Sequence, residues 1–209
     1  MTAAASPASA SLLPAFDAVA LLARVKRLAP LSQLAFGAAC CERMAPNFEA
    51  FRRATGYGDT AVLGFATGYV WSVAMGGGVD AYQVQRWIAQ CEHLAPNSEY
   101  FDSMLVTPAQ DACFATCSVL GYLLNGNASE IVQAAAYATD TIDLYVQELE
   151  AMLPDSADAA PVYQHPLMQQ ELRRQQGELQ LLESAALNPA MVARLRDLGS
   201  YAGLGSLKV

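Results

Sequence analysis

Charged side chains are scarce in this chain of 209 residues, where Lys, Arg, Asp and Glu together make up 15% and hydrophobic residues 54%. Basic residues are the scarcer sign, 12 against 20 acidic ones, which gives a net charge of −8. Between Arg86 and Arg173 there is no Lys or Arg, whereas twelve acidic residues lie from Glu92 to Glu171. Nucleic-acid binding needs cations along the phosphate backbone. The sequence therefore excludes a nucleic-acid partner, and its acidic middle is either a solvated face or a docking face for a basic partner.

The beginning of the chain lacks the basic start and the long apolar run of a secretory signal. Residues 1–12 are mostly Ala, Ser and Pro, so we expect a disordered leader there. The five cysteines are odd in number, which fits buried free thiols in a reducing compartment. We therefore expect a cytoplasmic protein.

One long stretch has no charge at all and tests for a membrane span. Thr60–Val79 contains Gly64 and Gly68 in the spacing of a membrane helix-contact motif. However, Gly76–Gly78 ends the helix after about four turns, an acidic residue flanks each end, and no Lys or Arg marks a cytoplasmic side. The pattern favours a buried core helix and no membrane partner.

The sequence has no segment that alternates apolar and polar residues, so it predicts an all-α protein, a single-domain multi-helix bundle. Helix breakers and capping residues set the boundaries of the helices. The predicted helices are Leu13–Ala29, one capped by Ser32 that runs to about Ala45, a short one from Asn47 to Gly56, the apolar segment capped by Asp59, Ala81–Ala95, one opened by Thr107-Pro108 and closed by Asn125-Gly126, Ser129–Leu153, one after His165, and a last one from Asn188.

The spacing of the breakers also predicts two or three helical hairpins. These cover residues 13–45, 59–95 and 108–153, with a pseudo-repeat of about 50 residues. We expect a single helical domain over residues 13–198, with a Pro/Ala/Asp linker at 154–166 inside it and a loose tail at 199–209.

The predicted helix after His165 is amphipathic. Met168, Leu172, Leu179 and Leu182 form its narrow apolar stripe, which is interrupted by the polar Gln175. The stripe fits docking on the bundle, the simpler interpretation, or pairing with its twin in a homodimer.

A phrase of eleven residues occurs twice, fifty residues apart. "CERMAPNFEAF" at Cys41–Phe51 and "CEHLAPNSEYF" at Cys91–Phe101 agree at seven of eleven positions. Helical spacing places the cysteine of each copy on the core face. The proline of each copy disfavours a helical conformation before it, so we predict that each helix bends or ends at Ala45 and Ala95 and that Asn47 and Asn97 cap the next turn.

That interpretation leaves one acidic residue in each copy unexplained. Glu42 and Glu92 lie beside the core stripe, at the seam between helices, and a pseudo-symmetric pair of hairpins would bring their carboxylates together. Alternatively, each carboxylate takes hydrogen bonds from a neighbouring helix start or pairs with Arg43 or Arg86.

Other candidate residues for chemistry are weaker. Asp140 and Asp143 follow helical spacing on one predicted helix, and Asp111 begins the preceding one. A di-metal bundle needs a Glu-x-x-His pair, and neither that nor His-Glu-x-x-His occurs. Cys113 and Cys117 share a helix face, which is a weak zinc signal. No nucleotide or catalytic motif is visible, and no cofactor is expected.

Three stretches of the chain together carry a resemblance. "ACCERMAPNFEAFRRATGYGD" at Ala39–Asp59, "PAQDAC" at Pro108–Cys113 and "HPLMQQELRRQQGELQLL" at His165–Leu182 resemble the YjaG-like family of bacterial proteins, a domain of unknown function. The resemblance runs from about residue 28 to 198 and implies a compact, all-helical cytosolic protein. The family carries no established catalytic residues, and its genome neighbourhoods hint at signalling.

These observations support two hypotheses about function. The first is a non-catalytic interaction or regulatory module, which binds either itself as a homodimer or another protein. The alternative is a metal- or small-molecule-binding bundle that uses Glu42, Glu92 and neighbouring carboxylates.

Overall fold

The computed structural model of the protein describes residues 11–151 and 161–199, and every regular element within these ranges is a helix. The all-α fold is therefore confirmed. The α-helices are α1 Ala18–Val25, α2 Pro30–Thr55, α3 Ala61–Ala74, α4 Ala81–Leu94, α5 Val106–Asn125, α6 Ala128–Ala151, α7 Pro166–Ser184 and α8 Pro189–Gly199. Short 3-10 helices at Ser98–Tyr100 and Val162–Gln164 precede α5 and α7.

Several predicted helix ends are confirmed. The Asp80 carboxylate accepts hydrogen bonds from the backbone N–H groups of Tyr82 and Gln83 at the start of α4, at 3.0 and 3.2 Å. α5 ends at Asn125, where Gly126 takes a left-handed conformation with φ of 65°. Local capping chemistry thus sets these boundaries as the sequence predicts.

Three predicted helix starts are wrong. α1 begins at Ala18 and not at Leu13, since extended Asp17 caps it by accepting from the N–H groups of residues 19 and 20. Ser32 does not cap α2, because Pro30 already occupies its first turn and Ser32 is buried inside the helix. α5 begins one residue before Thr107 and has no side-chain cap at its first residue.

The prediction that the helix would stop before Pro46 is wrong. α2, which is 26 residues long, continues through this proline, whereas α4 ends at Leu94 within the second copy of the phrase. The residues after each proline explain the difference. Phe48 of the first copy is fully buried when the helix continues, whereas Ser98 at the same place in the second copy is exposed. Burial of the Phe48 ring, worth about 1.5–3 kcal/mol, offsets most of the roughly 3 kcal/mol that a proline costs inside a helix.

α2 and α5 form the centre of the bundle. α5 packs against α2, α3, α4 and α6, and α2 also contacts α3, α6, α7 and α8. Gly37 lets α2 approach closely, because a Cβ atom there would lie 2.9 Å from side-chain carbons of Val119 on α5 and Ile131 on α6. The predicted hairpins and pseudo-repeat are not confirmed, since α1 packs on α6.

The uncharged segment becomes α3, which buries one face only. Leu63, Val70 and Trp71 lie in the core, whereas Phe65 and both glycines of the Gly-x-x-x-Gly spacing are exposed. At 14 residues α3 is too short to cross a membrane, and within residues 11–151 and 161–199 no helix is both long and apolar enough to do so.

α7 docks on the bundle with the face that the sequence predicts. Met168, Leu172, Leu179 and Leu182 are buried, together with Gln175. The predicted leader, linker and tail lie largely outside the described residues, and residues 162–166 of the linker form the short 3-10 helix and the first turn of α7.

Candidate functional site

A buried ionic cluster joins α2 to α7. We use the name ion cluster for Arg43, Glu171, Gln175 and Glu178. The Arg43 side chain is fully buried, and its guanidinium donates to both carboxylate oxygens of Glu171, with Nε–Oε2 at 3.2 Å and Nη2–Oε1 at 2.9 Å. The third guanidinium nitrogen, Nη1, donates to Oε1 of Glu178. One cation of the first repeated phrase thus holds two acids from the other end of the sequence.

Further hydrogen bonds satisfy the polar atoms of the ion cluster, except for one oxygen of Glu178. Gln175 Nε2 donates to Glu171 Oε1 at 2.9 Å and to the backbone carbonyl of Ala135 on α6 at 3.1 Å. Arg43 Nη2 also lies 3.4 Å from Sγ of buried Cys40. Oε2 of Glu178, by contrast, is buried and has no hydrogen-bond partner among the described residues. Such an orphan oxygen is costly when the carboxylate is charged.

The two acids respond oppositely to this environment. Burial favours the neutral form of Glu171, but the charge and the hydrogen bonds of Arg43 outweigh burial and lower the pKa of Glu171. Burial raises the pKa of Glu178 to about 7, since Arg43 only partly offsets it and Glu171 adds repulsion. The ion cluster therefore holds one fixed carboxylate and one that takes a proton near neutral pH.

The geometry of the ion cluster favours a structural role over chemistry. Its charged groups are no more than 1% exposed and are directed at each other. The buried apolar residues of α7 lie on the same helix face as Glu171 and Glu178, so a substrate would have to displace α7 to reach Arg43. The cluster fixes the register of α7 on α2.

The carboxylate of Glu42 is occupied by partners that the sequence did not indicate. Arg196 of α8 donates to Oε1 from Nη2 at 2.8 Å and from Nε at 3.0 Å. Trp71 Nε1 of α3 donates to Oε2 at 3.1 Å, and the Arg196 guanidinium lies 5.9 Å from the Trp71 ring centre. The expected pairing of Glu42 with Arg43 or Arg86 is wrong, because Arg43 points inward to α7.

Glu92 is exposed on α4 and makes no hydrogen bond or ion pair with any described residue. The structure therefore does not join the Glu92 carboxylate to that of Glu42 in one network. The two copies of the phrase meet elsewhere. The rings of Phe51 and Phe101 pack edge to face with their centres 5.1 Å apart.

The two asparagines of the phrase differ in role. Asn97 caps the 3-10 helix Ser98–Tyr100 by accepting from the N–H of Glu99 at 2.9 Å, as the sequence predicts. Asn47 lies fully buried inside α2, so the predicted cap there is wrong. The continuation of α2 through Pro46 is the reason.

The three predicted aspartates lie in one region of the α5–α6 side. Asp111 is buried, accepts from the Thr141 hydroxyl at 2.7 Å, and has a pKa raised by burial to about 6. Burial, reinforced by neighbouring Asp143, also raises the pKa of Asp140. Asp140 and Asp143 line a cavity of about 370 Å³ together with Tyr163.

Metal ligation receives no support from these positions. Across the part of the chain that the structure describes, no group of three or more His, Cys, Asp or Glu side chains is placed to hold an ion. Cys40, Cys41, Cys91 and Cys113 are buried and unpaired, as predicted, and Cys117 is half-buried. Burial raises the pKa of Cys41 to about 12, so its thiol stays protonated and unreactive at neutral pH.

The sequence did not single out Glu171, Glu178, Arg174 or Arg196. One signal was present for the ion cluster, namely the polar Gln175 in the apolar stripe of α7. Glu171 and Glu178 lie four residues before it and three after it, on the same helix face. A polar row inside an apolar stripe indicates buried partners, although it does not identify Arg43 as the partner.

Comparisons with known proteins agree with the architecture. A family model described as "Protein of unknown function (DUF416)" matches residues 20–206. The uncharacterized protein YjaG of Escherichia coli (strain K12) is 30% identical over 109 residues. That match covers 51% of this chain and about half, 54%, of the length of YjaG.

A solved structure has a similar fold. The crystal structure of a DUF416 family protein from Shewanella baltica OS155 matches with a TM-score of 0.77 at 23% identity. The match covers 89% of this chain and 96% of that one.

Proposed function

We propose a function for this chain, which belongs to the DUF416 family of proteins of unknown function. On the geometry of its surface, it is a non-catalytic helical interaction module that forms a homodimer. Its docking surface is the outer side of α3 and α4. We name this surface the α3–α4 face and define it by Gly64, Phe65, Gly68, Tyr82 and Trp87. The exposure of aromatic rings on this face is the observation that carries the proposal.

The α3–α4 face presents apolar surface that a monomer leaves in water. Phe65 is 65% exposed and stacks on half-buried Trp87, with ring centres 6.4 Å apart and planes 28° from parallel. Tyr82 of α4 is 70% exposed and lies under the Arg86 guanidinium, 6.0 Å from its ring centre. Phe, Tyr, Trp and Arg are the residues that protein interfaces concentrate.

The charge of the chain favours a second copy as the occupant. A two-fold interface sets each patch against itself, so any charge near the axis would face its own twin. The exposed positions of α3 carry no ionisable side chain; they are Ala61, Gly64, Phe65, Gly68 and Ser72. Two chains of net charge −8 repel each other, and α3 offers a contact that adds nothing to this repulsion.

The surface shape of α3 is also complementary to the α3 of a second copy of the chain. Nothing lies within 4 Å of a Cβ atom placed on Gly64 or Gly68, so a shallow hollow runs beside the projecting ring of Phe65. Phe65 of one copy fits the glycine hollow of its partner, and the contact is reciprocal. Phenylalanine buries about 150–250 Å², so two rings supply a substantial part of the roughly 1,200–2,000 Å² that a stable interface needs.

Sedimentation velocity across a range of protein concentrations tests the proposal. We expect wild type to sediment as a dimer and Phe65→Asp to sediment as a monomer, because a charge at the centre of an interface costs at least ~2 kcal/mol, or about 30-fold in affinity. Val19→Asp is the matched control, since it places the same charge on an apolar residue that is 80% exposed on α1, and it should stay dimeric.

Two results would contradict the homodimer. One is a wild-type chain that stays monomeric at ~100 µM, well above the micromolar affinities of ordinary transient complexes. The other is a dimer that Phe65→Asp leaves intact. A different protein that binds the α3–α4 face of a monomeric chain would retain the interaction role but overturn the second copy as occupant.

A further inference from the structure

A cavity of about 440 Å³ lies between α7 and α8, away from the α3–α4 face. It is lined by Pro166, Gln170, Arg173, Arg174, Gly177 and Leu198. Its volume is in the range of small-molecule sites, about 300–1,000 Å³. A Cβ atom on Gly177 would meet nothing within 4 Å, so this part of the wall stays open.

Arg174 is the unusual member of this wall. It is half-buried, yet within residues 11–151 and 161–199 its guanidinium donates no hydrogen bond and makes no ion pair. The other strongly buried cation, Arg43, is saturated by two carboxylates. Burial lowers the pKa of Arg174, which marks a charge only partly compensated by its surroundings. A guanidinium taken partly out of water without a partner is a costly arrangement, and an anion would relieve it.

The neighbouring charges decide which anion fits. Glu171 and Glu178 act on Arg174 from the ion cluster beneath, while Arg43 repels it. Glu171 is already engaged with Arg43 and Gln175, so it does not pair with Arg174. These buried acids disfavour a dianion, whereas a planar monoanion matches a guanidinium fork.

We propose that the α7–α8 cavity binds a small molecule with one carboxylate and an uncharged, largely apolar body. Arg174 takes the carboxylate as a bidentate partner, and Arg173 at the exposed rim adds a second cation. Gln170 offers an amide to a polar atom of the ligand, and Pro166, Gly177 and Leu198 contact its body. The cavity shares no residue with the α3–α4 face, so this inference is independent of the proposed homodimer.

Three probes of one shape test the charge requirement on the full chain. Benzoate carries the carboxylate, benzamide is its neutral counterpart, and phenyl phosphate carries a dianion. Binding is followed by isothermal titration calorimetry and by NMR shifts of Gly177 and Leu198 at pH 7.5. We expect benzoate to bind at least tenfold more tightly than either other probe.

Substitutions then locate the site. Arg174→Gln should weaken benzoate binding at least tenfold while the thermal midpoint stays within a few degrees, and Arg173→Gln should weaken it less. Arg53→Gln is the matched control, since it removes an exposed arginine of α2 that lies outside the cavity, and it should leave binding unchanged.

Several results would overturn the inference. Equal binding of benzoate and benzamide would remove the role of charge, and tighter binding of phenyl phosphate would replace the carboxylate class. Binding that survives Arg174→Gln would place the probe elsewhere. A lack of binding by all three probes would mean that another group already satisfies Arg174.

Discussion

At the scale of single residues, Glu178 is a buried acid whose hydrogen bonding is incomplete and which lies beside a second acid. One oxygen accepts from Arg43, the other has no partner among the described residues, and Glu171 lies beside it. Arg43 and Cys40 face it from α2, and Glu171 and Arg174 from α7. Since one guanidinium cannot fully compensate two buried carboxylates, the proton belongs to Glu178, the acid with a single hydrogen bond to Arg43.

This proton makes stability depend on pH in a defined window. The pKa of Glu178 is about 7 in the folded protein and about 4.5 in the unfolded chain. Between these values the unfolded chain releases a proton that the folded protein keeps, so the free energy of unfolding falls as pH rises. The fall is on the order of 3 kcal/mol, at ~1.4 kcal/mol for each pH unit. We expect Glu178→Gln to remove it in urea unfolding measured at pH 4.5–7.5.

Glu183→Gln serves as the control for this measurement. The pKa of Glu183 is lowered by its hydrogen bond and charge pairing with Arg24, so its effect on stability is lost only as pH falls below about 4.5. The buried Asp111 contributes its own slope up to about pH 6 in all variants. A Glu178→Gln variant with the wild-type slope above pH 5 would show that Glu178 titrates normally.

At the scale of elements, the repeated phrase gives two different structures from nearly the same letters. α2 carries its copy in the middle of a continuous helix, whereas α4 ends within its copy. The local signal of Pro46 and Pro96 is the same. What differs is the free energy gained when the helix continues past the proline, because Phe48 of the first copy is buried and Ser98 of the second is exposed.

Replacing each proline with alanine separates local strain from packing. Pro46→Ala should raise the free energy of unfolding by about 1–3 kcal/mol, since alanine restores an N–H and removes the ring from a helix interior. Pro96→Ala should be neutral or slightly destabilising. Residue 96 lies beyond the last turn of α4, so the substitution mainly raises the conformational entropy of the unfolded chain. Thermal unfolding by circular dichroism compares the two, and a destabilised Pro46→Ala would contradict this account of α2.

The sequence predicts elements better than it predicts the contacts between them. Asp80 and Gly126 act within a turn of their own positions, so their effects are visible locally. The path of α2 through Pro46 depends on packing, which the local pattern does not contain. The same holds for the candidate site. Arg43 was singled out as a possible partner of Glu42, and its actual partners lie 128 and 135 residues away.

At the scale of the whole molecule, side chains of the C-terminal third tie down the N-terminal part. Gln169 of α7 exchanges hydrogen bonds with the backbone of Leu13, at 2.8 and 2.9 Å. Glu183 pairs with Arg24, and Arg196 pairs with Glu42. Together with the ion cluster, these contacts span more than half of the sequence, so α7 acts as a clasp for the bundle.

The clasp predicts a cooperative loss of α7 when its central cation is removed. Arg43→Met should destabilise the protein by about 3–5 kcal/mol, because it leaves the Glu171 carboxylate buried without its ion-pair partner and removes the hydrogen-bond donor to Glu178. Hydrogen exchange by mass spectrometry should then show α7 exchanging faster than α5, which packs at the centre. Arg43→Lys, which keeps the charge and loses the fork, should show a smaller loss in the same direction.

Arg196→Met is the control, since its pair with Glu42 is 52% exposed on the arginine side and surface pairs contribute about 0–1 kcal/mol. Equal losses for Arg43→Met and Arg196→Met, or unchanged protection of α7 in the former, would contradict the clasp.

The distance in sequence between Arg43 and its partners also sets an order of events during synthesis. A ribosome that adds about 5–20 residues per second makes Glu171 roughly 6–26 seconds after Arg43, a gap of 128 residues. Throughout that interval α2 carries a cation on the side where α7 has yet to arrive. Until Glu171 and Glu178 have been made, water is the partner of this guanidinium, so the contact between α7 and α2 forms late in synthesis.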